Sequence, residues 1–119
     1  MEVVILGASS NPTRYAYRAA ERLLSAGHEV IGVNPTLPQV PGVRVVSSIQ
    51  ELPQGQHTLT VYVAPANSTA IADTIVGYGF KRVIFNPGSE NPALTERLRG
   101  KGTQVVIACT LVMLATGQF

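Results

Sequence analysis

The chain has one cysteine, two histidines and no tryptophan in 119 residues, and each scarcity removes a class of function. A lone Cys109 cannot close an intramolecular disulfide, so a reducing compartment, the cytoplasm, is expected. Two imidazoles and one thiol form no cluster with metal-ligand spacing, so no metal site is expected. Charge is scarce as well. Only 13% of residues are charged, the net charge is +2, and no run of five basic residues occurs, which argues against a nucleic-acid partner. No segment approaches the roughly 18 apolar residues of a membrane span, and no basic region leads into an apolar signal segment. What is abundant is apolar surface: 45% of residues are hydrophobic, enough for a sizeable core in one compact domain spanning residues 1–119.

Those apolar residues arrive in runs of strand length, at 3–6, 29–33, 59–63, 82–85 and 104–108. The runs are near-continuous rather than alternating, the pattern of strands covered on both faces in a parallel sheet. Between them lie segments with helical spacing, at 14–26, 68–78 and 92–101. Gly27, Gly79 and Gly102 sit where helices would end, Asn67 or Ser68 is placed to cap the second, and Asn91 followed by Pro92 to start the third. Strand and helix alternate, so the expected fold is α/β: a doubly wound, five-stranded parallel sheet, Rossmann-like, in the order 3-2-1-4-5. The segment 34–57, rich in Pro and Gly, reads as loop, with an optional short edge strand at 43–46 and a single helical turn at 47–52.

In such a sheet ligands sit beyond the carboxyl ends of the strands, where the strand order reverses. The first strand runs into Gly7-Ala8-Ser9-Ser10-Asn11-Pro12, a turn whose glycine and small polar residues can aim amides and hydroxyls at a phosphate before a helix begins. The full G-x-G-x-x-G fingerprint is absent after Gly7. The second strand ends in Val33-Asn34-Pro35, without the Asp or Glu that grips the ribose in NAD proteins. The third ends in Val63-Ala64-Pro65, without the carboxylate of a phospho-accepting receiver. The fourth ends in Asn86-Pro87-Gly88. These loops suit binding and are poor material for acid–base catalysis, since no Asp, Glu, His or Lys occurs in them before Glu90.

Four motifs together carry a resemblance to a known family. They are Gly7-Ala8-Ser9-x-Asn11-Pro12 with Tyr17-Arg18 in the following helix, Val33-Asn34-Pro35, Ser48-Ile49-x-x-Leu52-Pro53, and Ile84-Phe85-Asn86-Pro87-Gly88. Over essentially its whole length the chain resembles the small stand-alone CoA-binding proteins, whose fold is that of the CoA-binding domain in the succinyl-CoA synthetase alpha subunit. The resemblance implies a coenzyme A ligand. It places the pyrophosphate in the cradle of Gly7, Ala8, Ser9, Ser10, Asn11 and Pro12, the adenosine along Val33, Asn34 and Pro35, the pantetheine or adenine against Val63, Ala64 and Pro65, and Asn86, Pro87 and Gly88 as the completing wall. Arg14, near a helix start, is a candidate phosphate contact. The ligase's phosphohistidine loop and grasp domains are missing, so its activity is not implied, and a non-catalytic CoA-binding role is the expectation.

The alternatives are a thiol or acyl-CoA handling enzyme centred on Cys109, or an NAD(P)-binding protein using the same crevice. His28, just past Gly27, is read as a partner of the helix C-terminus in its imidazolium form. Tyr15, Tyr17, Tyr62 and Tyr78 are read as core-edge aromatics in preference to adenine stackers. The apolar tail 111–114 is expected to pack on the sheet; if exposed, it would form a homodimer patch.

Overall fold

The computed structural model describes residues 1–119 as a six-stranded, wholly parallel sheet flanked by helices on both faces. The chain runs β1 (Glu2–Leu6), α1 (Tyr15–Ser25), β2 (Glu29–Val33), β3 (Arg44–Val46), a 3-10 turn (Ile49–Glu51), β4 (Thr58–Val61), α2 (Pro65–Ala70), α3 (Ala72–Tyr78), β5 (Arg82–Phe85), α4 (Pro92–Gly100), β6 (Gln104–Ile107) and α5 (Thr110–Ala115). The spatial order is β3-β2-β1-β4-β5-β6. The parallel α/β architecture is the expected one, with six strands instead of five. The difference lies in the segment first read as loop with an optional edge strand. Arg44–Val46 pairs with Ile31–Val33 and takes the edge position, so the strand beginning at Thr58 is the fourth and pairs with β1. No helix is long and apolar enough to cross a membrane.

Alternation along the strands feeds two cores. Val4, Leu6, Leu59, Val61, Val83 and Phe85 point to the face covered by α3 and α4, while Val3, Ile5 and Val30 point to the face covered by α1. Helix α1 presents Ala16, Ala19, Ala20 and Leu23, all buried, at helical spacing. Its small residues let it lie close to the sheet, and each fully buried aliphatic side chain such as Leu23 contributes about 1.5–3 kcal/mol. Met113 of α5 is buried, whereas its neighbour Val112 is exposed, so the apolar tail packs along one side only.

The expected helix 68–78 is two helices. Ala64 is the N-cap and Pro65 the first helical residue, so neither Asn67 nor Ser68 caps it. Proline suits that position because its missing N–H would have no helical partner there. Asn91 does cap α4, its side chain accepting from Leu94 N, and Gly79 ends α3 in the left-handed region. His28 differs from its reading: its Nδ1 lies 2.9 Å from the Met1 amino group and its ring meets Phe119 edge-on. Burial, then the positive Met1 amine, lower its pKa, so its neutral form is favoured.

Gly32 in the middle of β2 has a specific reason. A Cβ there would stand 2.7 Å from the Ala8 Cβ, so only glycine lets the loop after β1 settle against β2. Gly77, exposed on α3 with open space around it, has no such reason. Gly32→Ala is therefore expected to cost about 1–3 kcal/mol by overpacking, and Gly77→Ala to gain up to about 1 kcal/mol from helix propensity. Opposite displacements of the urea midpoint check both.

Candidate functional site

A cleft of about 520 Å³ opens at the carboxyl ends of the central strands, where α1 leads leftward from β1 to β2 and the later crossovers lead rightward from β4. Four loops meet there. Gly7, Ala8, Ser9, Ser10 and Arg14 line it from the β1 side, with Tyr15 and Ala16 at the start of α1; Asn34, Thr36 and Pro38 from the β2 side; Tyr62, Val63 and Ala64 from β4; and Pro87, Gly88 and Ser89 from β5. Of the residues singled out in the sequence, Asn11, Pro12, Val33, Pro35, Pro65 and Asn86 do not line it. Tyr15, Ala16, Thr36, Pro38, Tyr62 and Ser89 line it although the sequence assigns none of them a binding role.

The loop after β1 is held by its own side chains. Gly7 N donates to Val33 O at 2.9 Å, and Gly7 has φ +91° with its α-carbon against Tyr62 and Val63, where a Cβ would meet Val63 Cγ1 at 2.9 Å. Ser9 Oγ accepts from Asn11 N, and Asn11 Oδ1 accepts from both Thr13 N and Thr13 Oγ1, so Asn11 stiffens the loop from behind. The amides of Ser9 and Ser10, and those of Tyr15, Ala16 and Tyr17 in the first turn of α1, have no partner within the chain. Unpaired amides at a helix start attract an anion, and the helix dipole adds to them. Arg14, exposed at the N-cap, is the one charged side chain lining the cleft; no carboxylate, histidine or lysine does.

Asn34 links two of the loops. Its Nδ2 donates to Ala8 O at 2.9 Å while Oδ1 accepts from Thr36 N and Oγ1. Asn86 does the same work on the far side, and it is buried. Its Nδ2 donates to Thr60 Oγ1 (2.7 Å) and Val61 O (2.9 Å), and its Oδ1 accepts from Thr110 N (2.8 Å). All of its polar capacity is spent inside the protein, joining β4, β5 and α5. Its role is to set the position of Pro87 and Gly88 in the wall.

Tyr62 is the residue that sequence reasoning missed most clearly. Tyr62 borders the cleft while its side chain packs on the core beneath α1, and its Oη is sealed from solvent with no hydrogen bond, although the Thr60 and Thr110 hydroxyls, bonded to each other at 2.8 Å, are close by. Burial pushes the phenol up to about 12, with the Thr110 hydroxyl offsetting part of the effect and neighbouring Cys109 adding to it. Cys109 itself is partly buried at the N-cap of α5 and is not in the cleft wall. The only signal in the sequence is position, the next-to-last residue of the expected third strand. No three His, Cys, Asp or Glu side chains come together as a metal-binding group.

Two outcomes follow from this geometry. Asn86→Ala leaves the buried Thr110 N without its acceptor and removes the side-chain donors to Thr60 Oγ1 and Val61 O, and should cost about 2–4 kcal/mol in chemical denaturation. Tyr62 should make stability pH-dependent at the alkaline end: the unfolded phenol releases its proton near pH 10 and the folded one later. Its contribution is thus intact below pH 10 and is lost as pH rises toward 12. Tyr62→Phe, compared with wild type by denaturation at pH 9 and pH 11, should lose less stability over that interval.

Comparison with known proteins agrees with this architecture. A solved structure described as an uncharacterised protein superposes with a TM-score of 0.93 at 44% identity, covering 99% of this chain and 97% of that one. A conserved hypothetical protein from Pyrococcus furiosus superposes with a TM-score of 0.82 at 29% identity, covering 97% of each. The uncharacterized protein YneT of Bacillus subtilis (strain 168) is 25% identical over 105 residues, 88% of this chain and 78% of that protein. The family model for the CoA binding domain matches residues 1–115, and the chain belongs to that CoA binding domain family.

Proposed function

We propose that this protein binds coenzyme A or an acyl-CoA in the cleft between the β1, β2, β4 and β5 loops, and that it does so without catalysing a reaction. One observation carries the reading. The free amides of Ser9, Ser10 and the first turn of α1 converge with Arg14 in a cleft that no carboxylate lines, the electrostatics an anionic pyrophosphate requires. Membership of the CoA binding domain family selects coenzyme A among anionic nucleotides. A cleft wall without carboxylate, histidine or lysine lacks the commonest general acids and bases, leaving only the phenols of Tyr15 and Tyr62, which supports binding without catalysis. The single free thiol fits a reducing compartment, the cytoplasm.

On this reading Gly7, Ala8, Ser9 and Ser10 hold the pyrophosphate, with Asn11 and Pro12 shaping their turn. Val33, Asn34 and Pro35 direct the β2 loop along the adenosine. Val63, Ala64 and Pro65, with Asn86, Pro87 and Gly88, form the wall beside the pantetheine. The expected result is a thermal shift with CoA or acetyl-CoA and none with NAD, NADP or ATP at equal concentration; at 100 times Kd the stabilisation is about 2.7 kcal/mol. Ser9→Asp, which sets a carboxylate beside the phosphates, should abolish the CoA shift. Arg14→Ala should weaken CoA roughly tenfold, with the difference shrinking as salt is added. An unchanged shift in Ser9→Asp would remove the β1 loop from the site.

A further inference from the structure

Few large apolar or aromatic side chains are strongly exposed on this protein; of these, Tyr15 lines the cleft and Leu37 lines the groove that adjoins it at Pro38. Tyr15, the first residue of α1, is 64% exposed, although the sequence pattern suggested a core-edge aromatic. It lines the cleft directly after Arg14, with the Arg18 guanidinium 5.7 Å from its ring centroid. Leu37 is 55% exposed on the β2 loop and is the one non-glycine residue with positive φ, at +51°. A bulky residue in the left-handed region is strained, and the strain persists only where the surroundings impose it. Leu37 faces an uncharged groove of about 590 Å³ that it shares with Pro38, Val40 and Val43, and Pro38 is also in the cleft wall. The cleft therefore runs over Pro38 into an apolar extension, with an exposed aromatic at the start of α1.

We propose that Tyr15 and the Leu37–Pro38 corner form the seat for the planar base of the nucleotide ligand, with Tyr15 as its stacking platform. This placement rests on the coenzyme A reading and adds the residues that grip the base. Reach decides the orientation. A phosphate held by Arg14 and the first amides of α1 carries its ribose and base within a few ångströms of Tyr15, the residue after Arg14. The flexible pantetheine arm is then left to run toward Ala64 and Gly88, where the wall offers backbone groups and no aromatic besides Tyr62. A purine face stacks on a tyrosine ring regardless of its hydrogen-bonding edge, and the adjacent Arg18 holds the ring through a cation–π contact.

Calorimetric titration of three ligands tests the placement: CoA, adenosine 3′,5′-bisphosphate, which has the base but no pantetheine, and 4′-phosphopantetheine, which has the arm but no base. Tyr15→Ala should weaken CoA and the bisphosphate about tenfold and leave phosphopantetheine within twofold of wild type, while Tyr15→Phe binds all three as wild type does. Leu37→Gly should raise the melting temperature by relieving the strained backbone yet weaken the two base-containing ligands, a combination that a purely structural role for Leu37 would not produce. Unchanged CoA affinity in Tyr15→Ala, or an equal loss for phosphopantetheine, overturns the placement while the coenzyme A reading stands. A wild-type protein that binds no CoA overturns that reading, and this placement with it.

Discussion

The crevice depends on a steric constraint at the top of the central strand. β1 has a neighbour on each side, β2 in register from Glu2 opposite Glu29 and β4 from Val3 opposite Thr58, so its chain must leave the sheet through the gap between them. Gly7 makes that exit possible with φ +91° and no side chain against Val63, and Gly32 makes room on the other side for Ala8. A side chain at either position pushes the loop outward and withdraws the amides of Ser9 and Ser10 from the cleft. Phosphate-binding loops of the dinucleotide type place further glycines after the first for close approach. Here one of those clearances is made by removing the side chain of the neighbouring strand instead of that of the loop.

Around that exit, asparagines act as structural ties. Asn11 folds the loop, Asn34 ties it to β2, Asn86 ties β4 and β5 to α5, and Asn91 caps α4 while donating to Ser68 and Thr69. A short amide side chain offers donor and acceptor together, so it can satisfy the backbone groups that strand ends leave open. The result is a cleft preorganised by internal hydrogen bonds, in which the groups left without partners are backbone amides and one arginine. Preorganisation of that kind lowers the ordering cost of binding.

The fold was largely legible in the sequence because its evidence is local. The continuous apolar runs, the glycines ending α1 and α3, and the Asn91-Pro92 start of α4 each report on a few neighbouring residues. The edge strand Arg44–Val46 was hard to see because three residues between prolines gain strand character only by pairing with β2. The split between α2 and α3 was hidden for a similar reason: the apolar spacing continues through Ile71 although the backbone does not stay helical there. The site was legible as loops but not as side chains. Four of the strand-end loops named from sequence border the cleft and the one at Cys109 does not; Asn86 turned inward, Asn11 spends its side chain on Thr13, and Tyr15 and Tyr62 joined the lining.

The sequence by itself determined the parallel α/β class, the position of the glycine turn after the first strand, and the absence of Asp, Glu, His and Lys from the strand-end loops before Glu90. Those properties follow from composition and spacing along the chain. Tertiary structure alone decided which polar groups remain free. Whether an asparagine amide faces a ligand or a neighbouring strand, and whether a tyrosine is exposed at a cleft or has its hydroxyl sealed beneath it, depends on partners 20 or more residues away, such as Ala8 for Asn34 and Thr110 for Asn86. Hydrogen-bond satisfaction is a property of the assembled fold, and it separates the residues that shape the crevice from those left to meet a ligand.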